Sequence, residues 1–282
     1  MKTALTIAGS DCSGGAGIQA DLKTFAAHGI YGMSAITSVV AENTCRVLKI
    51  EDISPETIGA QITAIFEDIP PDAVKIGMIS GIGAMEAVGT ALELYAPKSV
   101  VLDPVMVSSS GSVLMQEEAL HTLKQKVLPH ATVLTPNLPE AETLIGKKIV
   151  TPEEQRECCR ILHSMGSTWI LLKGGHLYED TESTDLLFDG TNFFSFSVKR
   201  IPTKNTHGTG CTLSAAIASN LALGYSVEDS VAKAKDYITV AIAHGLDLGK
   251  GHGPTHHFYN LYQHGLQTPA VSSDLFTHSH RI

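Results

Sequence analysis

The residues best suited to chemistry form one run, Asn205-Thr206-His207-Gly208-Thr209-Gly210-Cys211-Thr212, which leads into a proline-free stretch rich in alanine and leucine, Leu213 to Leu223. That composition predicts a helix starting near Thr209. The first turn of such a helix carries N–H groups with no intrahelical partner. Together with the positive end of the helix dipole, those donors favour a phosphate or a developing phosphoryl charge. Glycine lets the backbone approach such a group closely. The same field is expected to bias Cys211 toward thiolate. Taken alone, the run is equally well read as a capped helix with a buried cysteine.

A second loop, Ala8-Gly9-Ser10-Asp11-Cys12-Ser13-Gly14-Gly15-Ala16-Gly17, follows the apolar run Leu5 to Ala8 and precedes a helical stretch from Ile18 to His28. Its spacing is not Gly-x-Gly-x-x-Gly, and Gly-x-x-x-x-Gly-Lys-Ser/Thr occurs nowhere, so neither common nucleotide motif is present. A third glycine site is Lys173-Gly174-Gly175-His176.

The elements that must position these loops alternate. Strands are predicted near 3–8, 33–40, 73–77, 99–102, 132–134 and 168–172, separated by helices at 16–28, 55–67, 83–95, 116–127, 138–145 and 153–165. Such alternation implies parallel strands joined by helical crossovers, an α/β sheet covered on both faces. Ligands in such sheets bind beyond the carboxyl ends of the strands. Gly9, Asp103, Asn137 and Lys173 each follow a predicted strand, so one edge would gather them. Residues 184–198 read as a hairpin extending the sheet antiparallel. Helices at about 209–222 and 226–243 follow, then a turn at 249–254 and a short terminal helix. No Pro, Gly or Ser linker divides the chain, which gives one domain over 1–265 and an aperiodic tail, 266–282, expected to be mobile.

Composition narrows the function class. The 282 residues are 43% apolar and carry a formal net charge of −9, which disfavours nucleic acid as a partner. No apolar run approaches the roughly 20 residues needed to span a bilayer, and no signal-like segment precedes the first strand, so a cytoplasmic protein without a membrane partner is expected. The five cysteines show no Cys-x-x-Cys spacing, which argues against structural zinc or a disulfide framework and suits a reducing compartment. Cys158 and Cys159 are expected in a helix core. Thirteen histidines, His252, His256 and His257 among them, form no convincing ligand set.

Five blocks in order carry a resemblance: AGSDCSGGAGIQADLKTF from Ala8, LDPVM at 102–106, TPNLPEAE at 135–142, LLKGGH at 171–176 and KNTHGTGCTLSAA at 204–216. Together they resemble the hydroxymethylpyrimidine and phosphomethylpyrimidine kinases of thiamine biosynthesis, within the ribokinase-like family, from residue 3 to about 258. The resemblance implies a three-layer sandwich, ATP and Mg2+ as co-substrate and cofactor, and phosphorylation of 4-amino-5-hydroxymethyl-2-methylpyrimidine and then of its monophosphate. It also suggests a homodimer.

The resemblance assigns roles to residues. Gly208, Gly210 and the Cys211 N–H would form the anion hole for the γ-phosphoryl, with Cys211 taking the acceptor's proton. Lys173 would contact nucleotide phosphates, with Asp103, Asn137 and Thr209 on the same nucleotide side. Glu140 of the Asn-x-x-Glu pattern would help hold magnesium, often through water, although helix capping alone also explains it. His207 is expected to touch phosphate or order its loop. Gly9, Asp21, Glu42, Met78 and Val105 would line the acceptor pocket. Glu42 departs from the pattern, where glutamine is expected before Asn43-Thr44. A glutamine amide donates and accepts, whereas an ionised carboxylate only accepts. That carboxylate suits a protonated pyridine too, so a pyridoxal or pyridoxine kinase stays open, as does a pyrimidine-binding regulator without catalysis.

Overall fold

In a computed structural model, residues 1–107, 111, 114–115, 117–174 and 181–265 are described. Gly175, His176 and the tail expected at 266–282 lie outside them. Nine strands form one sheet: β1 (Thr3–Asp11), β2 (Tyr31–Asn43), β3 (Arg46–Asp52), β4 (Ala73–Ile76), β5 (Val100–Leu102), β6 (Val133–Leu134), β7 (Trp169–Leu172), β8 (Glu182–Phe188) and β9 (Phe193–Lys199). Their order is β3-β2-β1-β4-β5-β6-β7-β8-β9. The stretch from β2 to β7 is parallel, while β3, β8 and β9 join antiparallel.

Side chains alternate across each strand, so the two faces carry different cores. Leu5, Ile7, Val74 and Ile76 enter the core covered by α2 (Pro55–Asp68), α3 (Ile82–Tyr95), α5 (Leu138–Ile145) and α6 (Pro152–Ser164). The short α4 (Glu117–Thr122) covers the same face. Ala4 and Ala73 enter the other core, beneath α1 (Gly17–Ala27), α7 (Thr209–Ala222) and α8 (Val227–Ala243). The α2 residues Ile58 and Ile62, one turn apart, are fully buried. Truncating either to alanine would cost about 2–5 kcal/mol. Cys158 and Cys159 are buried in α6, as core residues should be.

Three elements differ from the sequence expectation. The strand expected at 3–8 continues to Asp11 through a bulge between Ala8 and Ser10, where β1 keeps pairing with β2. The 116–127 helix is interrupted: α4 passes into a π-helical turn, Leu123–Val127, and a 3-10 turn, Leu128–His130. The wider turn keeps Leu123, Val127 and Leu128 buried. The third is β3, whose residues are half-buried or exposed and show no one-sided apolar pattern. The short α9 (Tyr259–His264) closes the described chain.

Candidate active site

The helix after the 205–212 loop begins at Thr209, as its composition implies. Gly208 is its N-cap and has φ 78°, a left-handed conformation that glycine adopts without steric cost. A Cβ there would also collide with the carbonyl oxygen of Gly15, so the two glycine loops touch at this point. Among the described residues, the Gly210 and Cys211 amides donate to no protein acceptor, which leaves them for an anion. Thr209 is committed inward: its hydroxyl donates to the Thr206 carbonyl at 2.8 Å and its amide to the same oxygen at 3.2 Å. Its side chain, expected on the nucleotide side, thus braces the loop, and its hydroxyl oxygen keeps its acceptor capacity.

The ends of β5, β6 and β7 bring the charged groups together. Lys173 donates to Asp103 Oδ1 at 2.7 Å and lies 3.9 Å from Glu140 Oε2. Thr135 Oγ1 donates to the same Asp103 oxygen at 3.2 Å. A Cβ on Gly210 would stand 3.3 Å from Asp103 Oδ2 and 3.5 Å from Lys173 Nζ, so these two groups adjoin the helix terminus. Burial lowers the Lys173 pKa, but the Asp103 and Glu140 carboxylates outweigh it and hold the ammonium above its ordinary value. Burial pushes the Glu140 carboxyl up to about 7 against the pull of Lys173, with Asp103 adding to the rise.

Asn137 and Glu140 cap α5 reciprocally: the Asn137 side chain accepts the Glu140 N–H at 2.9 Å, and Glu140 Oε2 accepts the Asn137 N–H at 2.8 Å. Capping is thus real, and it fixes the carboxylate rather than consuming it. With Oε2 on the Asn137 amide, Oε1 is the oxygen that would hold a water or an ion. A buried carboxylate beside Asp103 offers the hard oxygen donors that magnesium prefers, so the residues fit that ion.

On the acceptor side, Gly9 faces Met78: a Cβ at Gly9 would meet Met78 Cε at 2.6 Å. Val105, half-buried, follows Asp103 and donates its amide to the Asp103 carbonyl. Asp21, expected in the acceptor pocket, has one carboxylate oxygen, Oδ1, without a partner among the described residues. Its carboxylate is wholly buried, where it accepts Thr6 Oγ1 at 2.6 Å and Lys75 Nζ at 2.8 Å. Its α1 position turns it toward the sheet rather than outward.

Sequence reasoning missed Asp11. Its Oδ2 accepts from His207 Nε2 at 2.8 Å and from the Gly15 and Ala16 amides, and Oδ1 accepts from the Ser13 amide. Burial raises its pKa, yet these bonds outweigh burial and hold the carboxyl well below its ordinary range. Asp11 therefore ties the first glycine loop to the second, and His207 orders its loop through that bond. Glu42 completes a group whose ligand atoms all lie within 4.8 Å of one another. Burial and the Asp11 charge push the Glu42 carboxyl up to about 7.

The expected thiolate bias of Cys211 is corrected. Cys211 stands in the first turn of α7, where the Gly17 N–H lowers its pKa, yet burial pushes the thiol up to about 11. Lys75 opposes that rise, while Asp21 and Asp103 add to it. Desolvation here outweighs the helix dipole.

A mostly parallel sheet covered on both faces, with a glycine-rich helix N-terminus over its strand ends, defines a kinase of the ribokinase-like class. A family model described as phosphomethylpyrimidine kinase matches residues 11–256. A hydroxymethylpyrimidine/phosphomethylpyrimidine kinase of Bacillus subtilis is 44% identical over 255 residues, 90% of this chain and 94% of that one. A pyridoxal kinase of the same species, solved with ADP, superposes with a TM-score of 0.86 at 38% identity, covering 92% of this chain and 98% of the other. A Clostridium difficile phosphomethylpyrimidine kinase superposes with a TM-score of 0.77 at 46% identity, over 86% and 100%. The chain belongs to the phosphomethylpyrimidine kinase family.

Proposed function

We propose that the chain phosphorylates 4-amino-5-hydroxymethyl-2-methylpyrimidine and then its monophosphate, with ATP as donor, supplying the pyrophosphate for thiamine biosynthesis. The observation that carries this reading is the meeting of the free Gly210 and Cys211 amides with Lys173, Asp103 and Glu140 at the strand ends of a chain in this family. A non-catalytic regulator would have no use for those groups. The domain spans 1–265, and the protein is cytoplasmic and homodimeric in this reading. Among the described residues no helix is long and apolar enough to cross a membrane.

In the first step the acceptor's hydroxyl oxygen attacks the γ-phosphorus while the bond to the β-phosphate oxygen breaks and ADP departs. The Gly210 and Cys211 amides receive the charge of the transferring group, and Lys173 neutralises the neighbouring phosphate oxygens. Cys211 takes the hydroxyl proton. In the second step the acceptor is a phosphate oxygen, already ionised, and requires little base. Glu140, with Asp103, would hold magnesium, which when bound would offset charge on the phosphates.

This division predicts unequal dependence on the sulfur. Cys211→Ala should lower kcat for the alcohol at least 100-fold and for the monophosphate less than tenfold. Because the thiol sits high, wild-type kcat for the alcohol should climb with pH from 7 to 9. Initial rates with each acceptor check both expectations, and an equal loss on both would remove the base role.

Glu42 distinguishes the acceptors. Protonated, it donates and accepts as a glutamine amide does; ionised, it only accepts. KM for the pyrimidine should therefore rise as pH passes about 7, and Glu42→Gln should flatten that rise. The folded-state pKa lies above its ordinary value of 4.5, so stability is full below 4.5 and declines as pH rises through 7. Thermal melts should show Glu42→Gln gaining Tm at pH 8 and not at pH 4.

A further inference from the structure

The turn at 249–254 takes no part in the steps above, yet it joins two pieces of the site. One piece is the tip of the β2–β3 hairpin, residues 43–46, which follows Glu42. The Asn43 side chain closes that tip by accepting the Cys45 and Arg46 amides at 2.9 and 3.1 Å. A register shift between Ala41 and Glu42 re-aims the strand just before it. Because β3 is half-buried or exposed along its length, apolar burial does little to hold this end of the hairpin. Polar contacts have to do so.

Thr44 supplies them. Its Oγ1 accepts the Lys250 and Gly251 amides at 3.2 and 3.1 Å, and its carbonyl oxygen accepts the His252 amide at 3.0 Å. The fit is close: a Cβ on Gly251 would collide with that carbonyl oxygen, although the φ of Gly251 is not positive. One residue further on, the Gly253 carbonyl accepts the His207 amide at 3.0 Å, and Pro254 pairs with His207 as an isolated bridge. His207 directly precedes Gly208, the N-cap of α7. A single short turn, hydrogen-bonded at both ends, therefore connects Thr44 to the anion-hole loop. The two pieces also meet across the site itself, where polar atoms of Glu42, Asp11 and His207 lie within 4.8 Å of one another.

We propose that Thr44 is a positioning residue: seated in the 249–253 turn, it couples the hairpin that carries Glu42 to the loop that carries the anion hole. The inference rests on the reading of Glu42 as an acceptor contact and of the Gly210 and Cys211 amides as the anion hole, and Thr44 acts through those groups. An acceptor reaching Glu42 then meets a phosphoryl site already in register with it. Lys173, the contact expected for the nucleotide phosphates, stands at the end of β7 and is held by Asp103, outside this chain of bonds. ATP binding should therefore not depend on Thr44.

Three substitutions in the full chain probe the contact from both sides. Thr44→Val keeps the outline of the side chain and removes the acceptor of two amides, Thr44→Ser keeps the acceptor, and Gly251→Ala drives the turn off the Thr44 carbonyl. Thr44→Val and Gly251→Ala should each raise KM for the acceptor several-fold and lower kcat about 10- to 100-fold, the loss that a misplaced site produces. KM for ATP should hold, and Thr44→Ser should stay near wild type. Because both substitutions break one contact, the double variant should be no worse than the poorer single. Peptide-resolved hydrogen exchange adds a readout independent of activity: amides of 204–212 should exchange several-fold faster in Thr44→Val, while α6, which packs in the other core, stays protected and reports folding. If α6 loses protection in Thr44→Val, Gly251→Ala decides; loss in both would overturn the proposal, since the contact would then hold the fold rather than the site. Wild-type exchange at 204–212, a fall in kcat with acceptor KM unchanged, or a double variant that loses the product of the two singles would overturn it as well. The acceptor used is whichever compound the wild-type protein phosphorylates, so turnover of pyridoxal alone would refute the pyrimidine reading and leave the coupling to be read with pyridoxal.

Discussion

Gly208→Ala should lower kcat by about 100- to 1,000-fold, the loss that removal of one anion-hole donor produces, while the protein remains folded. Two effects act at one atom. Alanine at φ 78° is strained by about 1–2 kcal/mol, and its Cβ meets the Gly15 carbonyl oxygen directly. Relief requires the 205–212 loop to move off the first glycine loop, and the Gly210 and Cys211 amides move with it. KM for ATP should change less than kcat, because the misplaced donors serve the transition state more than the ground state. Initial-rate kinetics beside a thermal melt check this, and a kcat within threefold of wild type would remove the anion hole from the mechanism.

Lys173→Met should be more damaging still, to fold and rate together. The substitution leaves Asp103 and Glu140 buried without their shared counter-charge, and breaking a buried pair on one side costs about 3–5 kcal/mol. Glu140 already titrates near 7 with Lys173 present; without it the carboxyl must rise further. A group whose folded pKa lies above its unfolded value favours the fold at low pH and penalises it as pH rises through the folded value. The Tm deficit of Lys173→Met should therefore be smaller at pH 5 than at pH 8. Activity should fall at least 1,000-fold at both, since the phosphate charge goes unopposed. A pH-independent deficit would mean that Lys173 does not neutralise these carboxylates.

What the sequence revealed, and what it hid, divides by range. The helix at Thr209 and the placement of Asp103, Asn137 and Lys173 at strand ends were legible, because local composition and period set them. The pairs that organise the site were not. His207 and Asp11 are separated by 196 positions, and Lys75 and Asp21 by 54, so no local pattern joins them. A signal was nevertheless present: a lysine inside the short apolar strand Ala73–Ile76 has to find a buried partner. Cys211 shows a different failure, in which the helix terminus was legible but the burial that outweighs it was not. The strand β3 escaped because both of its faces are largely exposed.

The central claim is the two-step phosphorylation of a pyrimidine, and product identification tests it most directly. Purified protein would be incubated with Mg-ATP and, separately, with hydroxymethylpyrimidine, its monophosphate and pyridoxal, and the products weighed by mass spectrometry. The site described here predicts mono- and diphosphorylated pyrimidine from the first acceptor and diphosphorylated pyrimidine from the second. Pyridoxal phosphate as the sole product would contradict it and make Glu42 a residue that recognises a protonated pyridine.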